Sequence, residues 1–149
     1  MPVVEDQIEI DRPPREVFDF VSKAENIPLV NSNVMSYEQM EDEPRGKGTR
    51  DRGAVRVAGK KVEFVHEVTE WEPGAHLGLR SVEAPMGMSW TIDYRFEDNG
   101  AGGTIVHFRQ DTPSLGGFWG KLGDNLVIKM YRRDNRASLE NTKVFLEER

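Results

Sequence analysis

The sequence predicts an α+β fold: seven antiparallel strands in one sheet, with a long C-terminal helix covering one face. Three observations carry this. Between Asn33 and Asp111 short apolar runs recur at roughly the 8 to 12 residue spacing of an antiparallel sheet, each bounded by a proline or glycine reversal. Ahead of them, Ile8 and Ile10 alternate with Gln7 and Glu9, the period of a strand with one buried face. After Pro113 no further proline occurs, and Leu115, Phe118, Trp119, Leu122, Leu126 and Met130 fall on one helical stripe. The sheet has one face that must be covered, and the terminal helix is the element long enough to cover it.

In chain order, the first strand occupies Val3 to Ile10. Arg12-Pro13-Pro14 ends it, and a proline whose φ is already helical suits the first turn of a short helix that carries Val17, Phe18 and Val21 to about Lys23. The apolar knot Ile27-Pro28-Leu29-Val30 fits either a second short helix or an irregular turn. Six strands follow, at about 34–42, 47–57, 60–71, 75–82, 87–97 and 103–111. Their separators are Glu43-Pro44-Arg45-Gly46, Ala58-Gly59, Glu72-Pro73-Gly74, Ala84-Pro85 and Asp98-Asn99-Gly100, each with the residue a tight reversal needs. Pro113 is expected to close the last strand and open a helix of about 35 residues ending at Arg149. Gly116, Gly117, Gly120 and Gly123 weaken the first turns of that helix by roughly 1 kcal/mol each relative to alanine, so this end is expected to bend or move.

The chain of 149 residues reads as a single domain, residues 1–149, with one core. Its 37% hydrophobic content, with 7 Phe, 3 Tyr and 3 Trp, suffices to fill that core. Twenty Lys and Arg against 26 Asp and Glu give a net charge of −6, which repels phosphate backbones and argues against nucleic acid as a partner. Without cysteine there is no disulfide framework, thiol nucleophile or thiolate metal site, and a reducing compartment, the cytoplasm, is the expected location. Acids at Glu5, Asp6 and Glu9 rule out a leader in the first ten residues, and no run approaches the roughly eighteen apolar residues of a membrane span. The three histidines show no metal-binding spacing, and Gly116-Gly117-x-x-Gly120-Lys121 lacks the spacing and Ser/Thr of a phosphate loop, so neither metal nor cofactor is expected. No Gly-x-Ser-x-Gly elbow is present to support a serine hydrolase.

The hairpins fix which side chains face inward. A two-residue turn at Ala58-Gly59 pairs residues whose numbers sum to 117: Val55 with Val62, Gly53 with Phe64, Asp51 with His66. The other face, Arg56 with Lys61 and Arg50 with Glu67, is charged and belongs in water. Alternation continues the inward set with Leu77, Leu79 and Ser81, then Met88, Trp90, Ile92, Tyr94 and Phe96, then Thr104, Val106, Phe108 and Gln110. One transverse row is expected to read Asp51, His66, Leu79, Trp90, Gln110, mixing apolar walls with a few convergent polar groups as a small-molecule site requires. His66 is the inward histidine, whereas His76 and His107 alternate outward. Opposite Asp51 it has the arrangement of a carboxylate-oriented imidazole. Tyr37, Tyr94 and Gln110 are candidates to bond a ligand carbonyl.

The run Ile8-x-Ile10-x-Arg12-Pro13-Pro14-x-x-Val17-Phe18-Asp19-Phe20-Val21 and the following Glu25-Asn26-Ile27-Pro28 resemble the opening of the START-like, Bet v 1-like (SRPBCC) superfamily. So do Gly48-Thr49-Arg50, Glu67-Val68-Thr69-Glu70-Trp71-Glu72-Pro73-Gly74, Gly103-Thr104 and Leu139-x-x-x-Lys143-x-x-Leu146-Glu147. The polyketide cyclase/dehydrase-like branch is the most similar. The resemblance implies the helix-grip fold, a curved sheet wrapped around the C-terminal helix with an apolar cavity between them for a lipid, polyketide or other hydrophobic ligand. It carries over no catalytic residue. The sequence therefore leads to a monomer or homodimer that binds a hydrophobic small molecule in a cavity of several hundred cubic ångströms, with Phe64, Leu79, Trp90, Tyr94, Phe108, Gln110, Trp119 and Leu122 as contacts. The alternative is a cyclase, dehydratase or isomerase on the same cavity, with His66 as general base and Asp51 orienting it.

Overall fold

A computed structural model describes residues 3–57, 59–114 and 124–148. The elements are β1 (Val3–Ile10), α1 (Pro14–Val21), a single 3-10 turn (Ala24–Asn26), α2 (Ile27–Val30), β2 (Val34–Gln39), β3 (Arg50–Val57), β4 (Lys60–Glu72), β5 (His76–Glu83), a second 3-10 turn (Pro85–Gly87), β6 (Ser89–Asp98), β7 (Thr104–Ser114) and α3 (Asp124–Glu147). The seven strands form one antiparallel sheet in the order β1-β7-β6-β5-β4-β3-β2, so the first strand closes against the last and β2 forms the other edge. This is the helix-grip arrangement. The uncertain segment after Lys23 resolves as a 3-10 turn leading into a four-residue helix with Pro28 in its first turn.

Three boundaries differ from the sequence reading. Strand β2 stops at Gln39 and β3 starts at Arg50, which leaves a longer connection carrying Arg45. Pro113 does not end the last strand, since β7 runs on to Ser114. The long helix is described from Asp124, for 24 residues; Trp119, Leu122 and the four glycines expected to loosen its start lie outside the described residues. The inward stripe of α3 is Ile128, Tyr131, Leu139 and Leu146, whereas Leu126, expected on it, is exposed.

The β3–β4 register is the one the sequence dictates: Val55 lies opposite Val62, Gly53 opposite Phe64 and Asp51 opposite His66. Beyond β4 the pairings are displaced, by two residues at the pairs named next and by three toward the β4–β5 turn, where Leu77 meets Trp71. His66 meets Ser81 and not Leu79, Leu79 meets Ile92 and not Trp90, and Gln110 meets Ile92. The cause lies in the connections. The β4–β5 reversal holds Pro73, Gly74 and Ala75, with Gly74 at φ +77°, and the thirteen-residue β4 carries bulges at Val65/His66 and Val68/Glu70. A two-residue displacement leaves each side chain on its face, so the inward set survives while its rows do not. The same bulges bend β4 and give the sheet its curvature.

The buried residues form two clusters. One joins β1, α1, the β5–β7 wall and the C-terminal half of α3 through Ile10, Phe18, Leu77, Val106, Leu139 and Leu146. The other gathers Tyr37, Val62, Phe64, Met88 and Trp90 at the β2–β4 end. Gly53 makes the second possible: a Cβ there would stand 2.6 Å from Phe64 Cζ and 3.0 Å from Tyr37 Cδ2. The Phe64 ring therefore lies across the bare backbone of β3 and reaches His66, 4.5 Å away between ring centres. Gly53→Ala is expected to lose about 1–3 kcal/mol in urea unfolding, because neither ring can retreat without disturbing the cluster. Gly46→Ala, with no atom within 4 Å of the new methyl, serves as the near-neutral control.

Candidate functional site

Between the concave face of the sheet and α3 lies a cavity of about 210 Å³, smaller than the several hundred expected. Its walls are largely apolar and include Phe20, Val62, Leu79, Met88, Ile92 and Phe108, and the exposed Ser32 and Arg56 mark where it reaches the surface. Of the contacts inferred from sequence, Phe64, Leu79, Trp90, Tyr94, Phe108 and Gln110 all line it. His66 lines it too, but Asp51 stands behind the wall, fully buried.

Asp51 and His66 are cross-strand partners on the inner face, yet no hydrogen bond joins them directly. Tyr37 stands between. Its hydroxyl donates to Asp51 Oδ2 at 2.8 Å and lies 3.1 Å from His66 Nδ1. On the far side, Trp90 Nε1 donates to His66 Nε2 at 2.7 Å. An indole nitrogen can only donate, so Nε2 must accept and the imidazole proton must sit on Nδ1, from which it donates to Tyr37 Oη. The result is a one-way chain, Trp90 to His66 to Tyr37 to Asp51, that ends on a carboxylate.

That carboxylate is balanced by Arg45, whose guanidinium donates from Nη2 to Oδ2 at 2.5 Å and from Nε to Oδ1 at 3.3 Å. The arginine side chain is only 8% exposed. It also donates to the Ser22 carbonyl at the end of α1 and lies over the rings of Tyr37 and Trp71, at 5.8 and 5.9 Å. Sequence reading assigned Arg45 to a turn and missed this role. The available signal was charge balance: an acid on an inward face needs a buried cation, and the connection before it holds one.

Burial, reinforced by the Arg45 charge, lowers the pKa of His66 to about 3. Burial together with the Asp51 charge raises Tyr37 well above the usual phenol range. The arrangement thus holds a neutral imidazole with both nitrogens engaged; Asp51 faces it across the strands as the register requires, but reaches it through Tyr37 rather than by a direct bond.

Other polar groups of the cavity come from α3, from Gln110 and from the segment ahead of β2. Asn135 Nδ2 donates to Gln110 Oε1 at 3.3 Å, and Asp134, hydrogen-bonded to the Asn33 side chain, has its pKa raised by burial. On the opposite face of the sheet, Glu70, Glu72 and His76 bring ligand-type atoms within 4.8 Å of one another, a grouping of the kind that can hold a metal ion and that the sequence did not suggest. His76 is buried there, and its Nε2 lies 2.7 Å from Asp93 Oδ1. No described helix is long and apolar enough to cross a membrane.

The sheet, the long helix laid on it and the cavity between them define a helix-grip protein. The chain belongs to the family described as polyketide cyclase / dehydrase and lipid transport, which it matches over residues 1–147. No curated protein matches it directly in sequence. Among solved structures it is similar to TTHA0849 from Thermus thermophilus, with 24% identity, a TM-score of 0.81, and 95% of this chain and 94% of that one covered. The Zhui aromatase/cyclase from a Streptomyces species is 20% identical, with a TM-score of 0.77 over 99% of this chain and 94% of that one. A START superfamily protein from Mycobacterium smegmatis is 16% identical, with a TM-score of 0.65 over 91% and 96%.

Three outcomes test the buried chain. Nitrogen-15 spectra should show the Nδ1–H tautomer of His66 unchanged from pH 8 to about pH 4, whereas an ordinary imidazole titrates near 6.5. Because His66 is held at about 3 in the folded state, its share of stability is complete above pH 6.5 and declines as the pH falls toward 3, by roughly 1.4 kcal/mol per pH unit. His66→Gln should flatten that part of the stability curve. Asp51→Asn, which strands Arg45 without its counter-charge, should lose about 3–5 kcal/mol in denaturant unfolding.

Proposed function

We propose that this protein binds one hydrophobic small molecule in the cavity between sheet and α3, with Phe64, Leu79, Trp90, Tyr94, Phe108 and Gln110 as its walls. The observation that carries the reading is the cavity itself: an enclosed, mostly apolar space whose most reactive lining group, His66, is already bonded at both nitrogens. Apolar walls supply affinity through surface removed from water, and they discriminate by shape. Membership of a family described by cyclase, dehydrase and lipid-transport roles supports a hydrophobic ligand without choosing between carriage and chemistry. The engaged state of His66 favours carriage. Net charge −6 and the lack of cysteine support a cytoplasmic protein without a nucleic-acid partner.

Benzene titration followed by the methyl resonances of Met88, Leu79 and Ile92 tests the reading. A saturable one-to-one shift confined to the lining residues is expected, and Leu79→Trp, which fills the space, should abolish it while the protein stays folded. Shifts that fail to saturate, or that persist in Leu79→Trp, would overturn it.

A further inference from the structure

The cavity lining is more selective than its apolar character suggests, because its polar groups differ in what they have left to offer. Trp90 has given its only donor to His66, and His66 and Tyr37 are used up in the chain that ends on Asp51. The Gln110 oxygen accepts from Asn135 Nδ2 and one of its amide N–H groups goes to Thr112 Oγ1 at 3.5 Å, which leaves the second N–H of Gln110 as a donor. Tyr94 differs from these. It sits on β6 directly opposite Phe108 and diagonal to Gln110 on the same face, its ring packed edge-on against Phe108 at 5.2 Å and stacked near Phe96 at 6.4 Å. Among the described residues its hydroxyl has no hydrogen-bond partner, although the side chain is partly buried and lines the cavity. A phenol so placed stays protonated: burial pushes it up to about 12.

Charge narrows the choice further. Among the described residues that line the cavity the one cation is Arg56, which is exposed, and Asp134 lies on α3 beside Asn33 and Tyr131. Arg45 is neutralised by Asp51 behind the wall. A carboxylate at the depth of Tyr94 would be buried with no opposite charge, an arrangement far less favourable than leaving it in water. An ammonium there would find the Tyr94 hydroxyl oxygen as an acceptor but no carboxylate beside it, since the acid that lines the cavity among the described residues, Asp134, lies on α3.

Resting on the binding reading above, we infer that the ligand is a compact neutral aromatic carrying an acceptor oxygen, a ketone or ester carbonyl, which accepts from the Tyr94 hydroxyl with Gln110 as the neighbouring donor. The size follows from the cavity. An engineered apolar cavity of about 150 Å³ admits benzene, so 210 Å³ admits a ring with a small substituent.

Three probes of nearly equal shape test this: acetophenone, α-methylstyrene, in which a methylene replaces the carbonyl oxygen, and benzoate at pH 7. Affinities are read from the Leu79, Met88 and Ile92 methyl shifts in wild type and in Tyr94→Phe, which keeps the ring and its packing. Wild type should bind acetophenone roughly three- to tenfold more tightly than α-methylstyrene, the worth of one net hydrogen bond, and benzoate at least tenfold more weakly than the ketone. Tyr94→Phe should bring ketone and hydrocarbon to the same affinity while leaving the hydrocarbon's own affinity in place. The inference is overturned if wild type shows no ketone preference, if Tyr94→Phe retains it, or if benzoate binds as well as acetophenone. Failure of the binding reading looks different: none of the three probes, the hydrocarbon included, would shift the lining methyls.

Discussion

A carboxylate with no exposed surface, Asp51, sets the terms for one end of this protein. An isolated charge at that depth is untenable, so its two oxygens dictate what surrounds them. Arg45 must leave the solvent and enter from the β2–β3 connection, and in doing so it ties that connection to the end of α1 through the Ser22 carbonyl. Tyr37 must present its hydroxyl to the carboxylate and so face inward from the edge strand β2. That hydroxyl then accepts from His66 Nδ1, which turns Nε2 toward Trp90 and captures the indole N–H. Three side chains on three other strands, with an arginine from a loop, are oriented by one buried charge. The wall of the cavity at this end is the apolar side of that network.

The two halves of the cavity are held differently. Around Phe64, His66 and Trp90 the rings meet tilted or edge-to-face, with centres 4.5 to 5.8 Å apart, and the bare backbone at Gly53 accommodates the closest of them. Toward Tyr94 and Gln110 the sheet faces α3, whose Tyr131 packs against both clusters and whose polar residues bond back to β7 and to Asn33 just ahead of β2. The first half is rigid because its polar atoms satisfy one another. The second keeps donors free, and specificity resides there.

Much of this was readable in the sequence, for reasons that name residues. Ala58-Gly59 permits one short reversal, so the pairing of Asp51 with His66 follows from counting, and the charged set Arg50, Arg52, Arg56, Lys61 and Glu67 shows which face is wet. Alternation carried the inward set across five strands. What counting could not supply was the bulges in β4 and the length of the next two connections, each of which moves partners without changing faces, so Leu79 and Trp90 were placed one rung from their actual neighbours. Arg45 was hidden because a loop residue has no periodicity to betray its direction. Tyr37 was visible as an inward polar group, but its place between Asp51 and His66 depends on side-chain reach, which spacing does not encode.

The tethers of α3 have a mechanical consequence. The described hydrogen bonds from the helix to the rest of the chain begin at Asp134 and run to its end. Asn135 bonds Gln110, Arg136 the Gln7 carbonyl, Asn141 the Val30 carbonyl and Lys143 the Glu9 carbonyl, while Glu147 receives Asp11 N–H and the Arg12 guanidinium. Several of these land on the first strand and the turn after it, so the chain's opening and closing segments grip one another. The described turns before Asp134 rest on the cavity by side-chain contact alone, through Ile128, Met130 and Tyr131. Among the described residues, then, α3 is fastened by hydrogen bonds along its C-terminal part and meets the cavity ahead of them through Met130 and Tyr131, so the turn of the helix that a guest would touch there is distinct from the part that ties the two ends of the fold together.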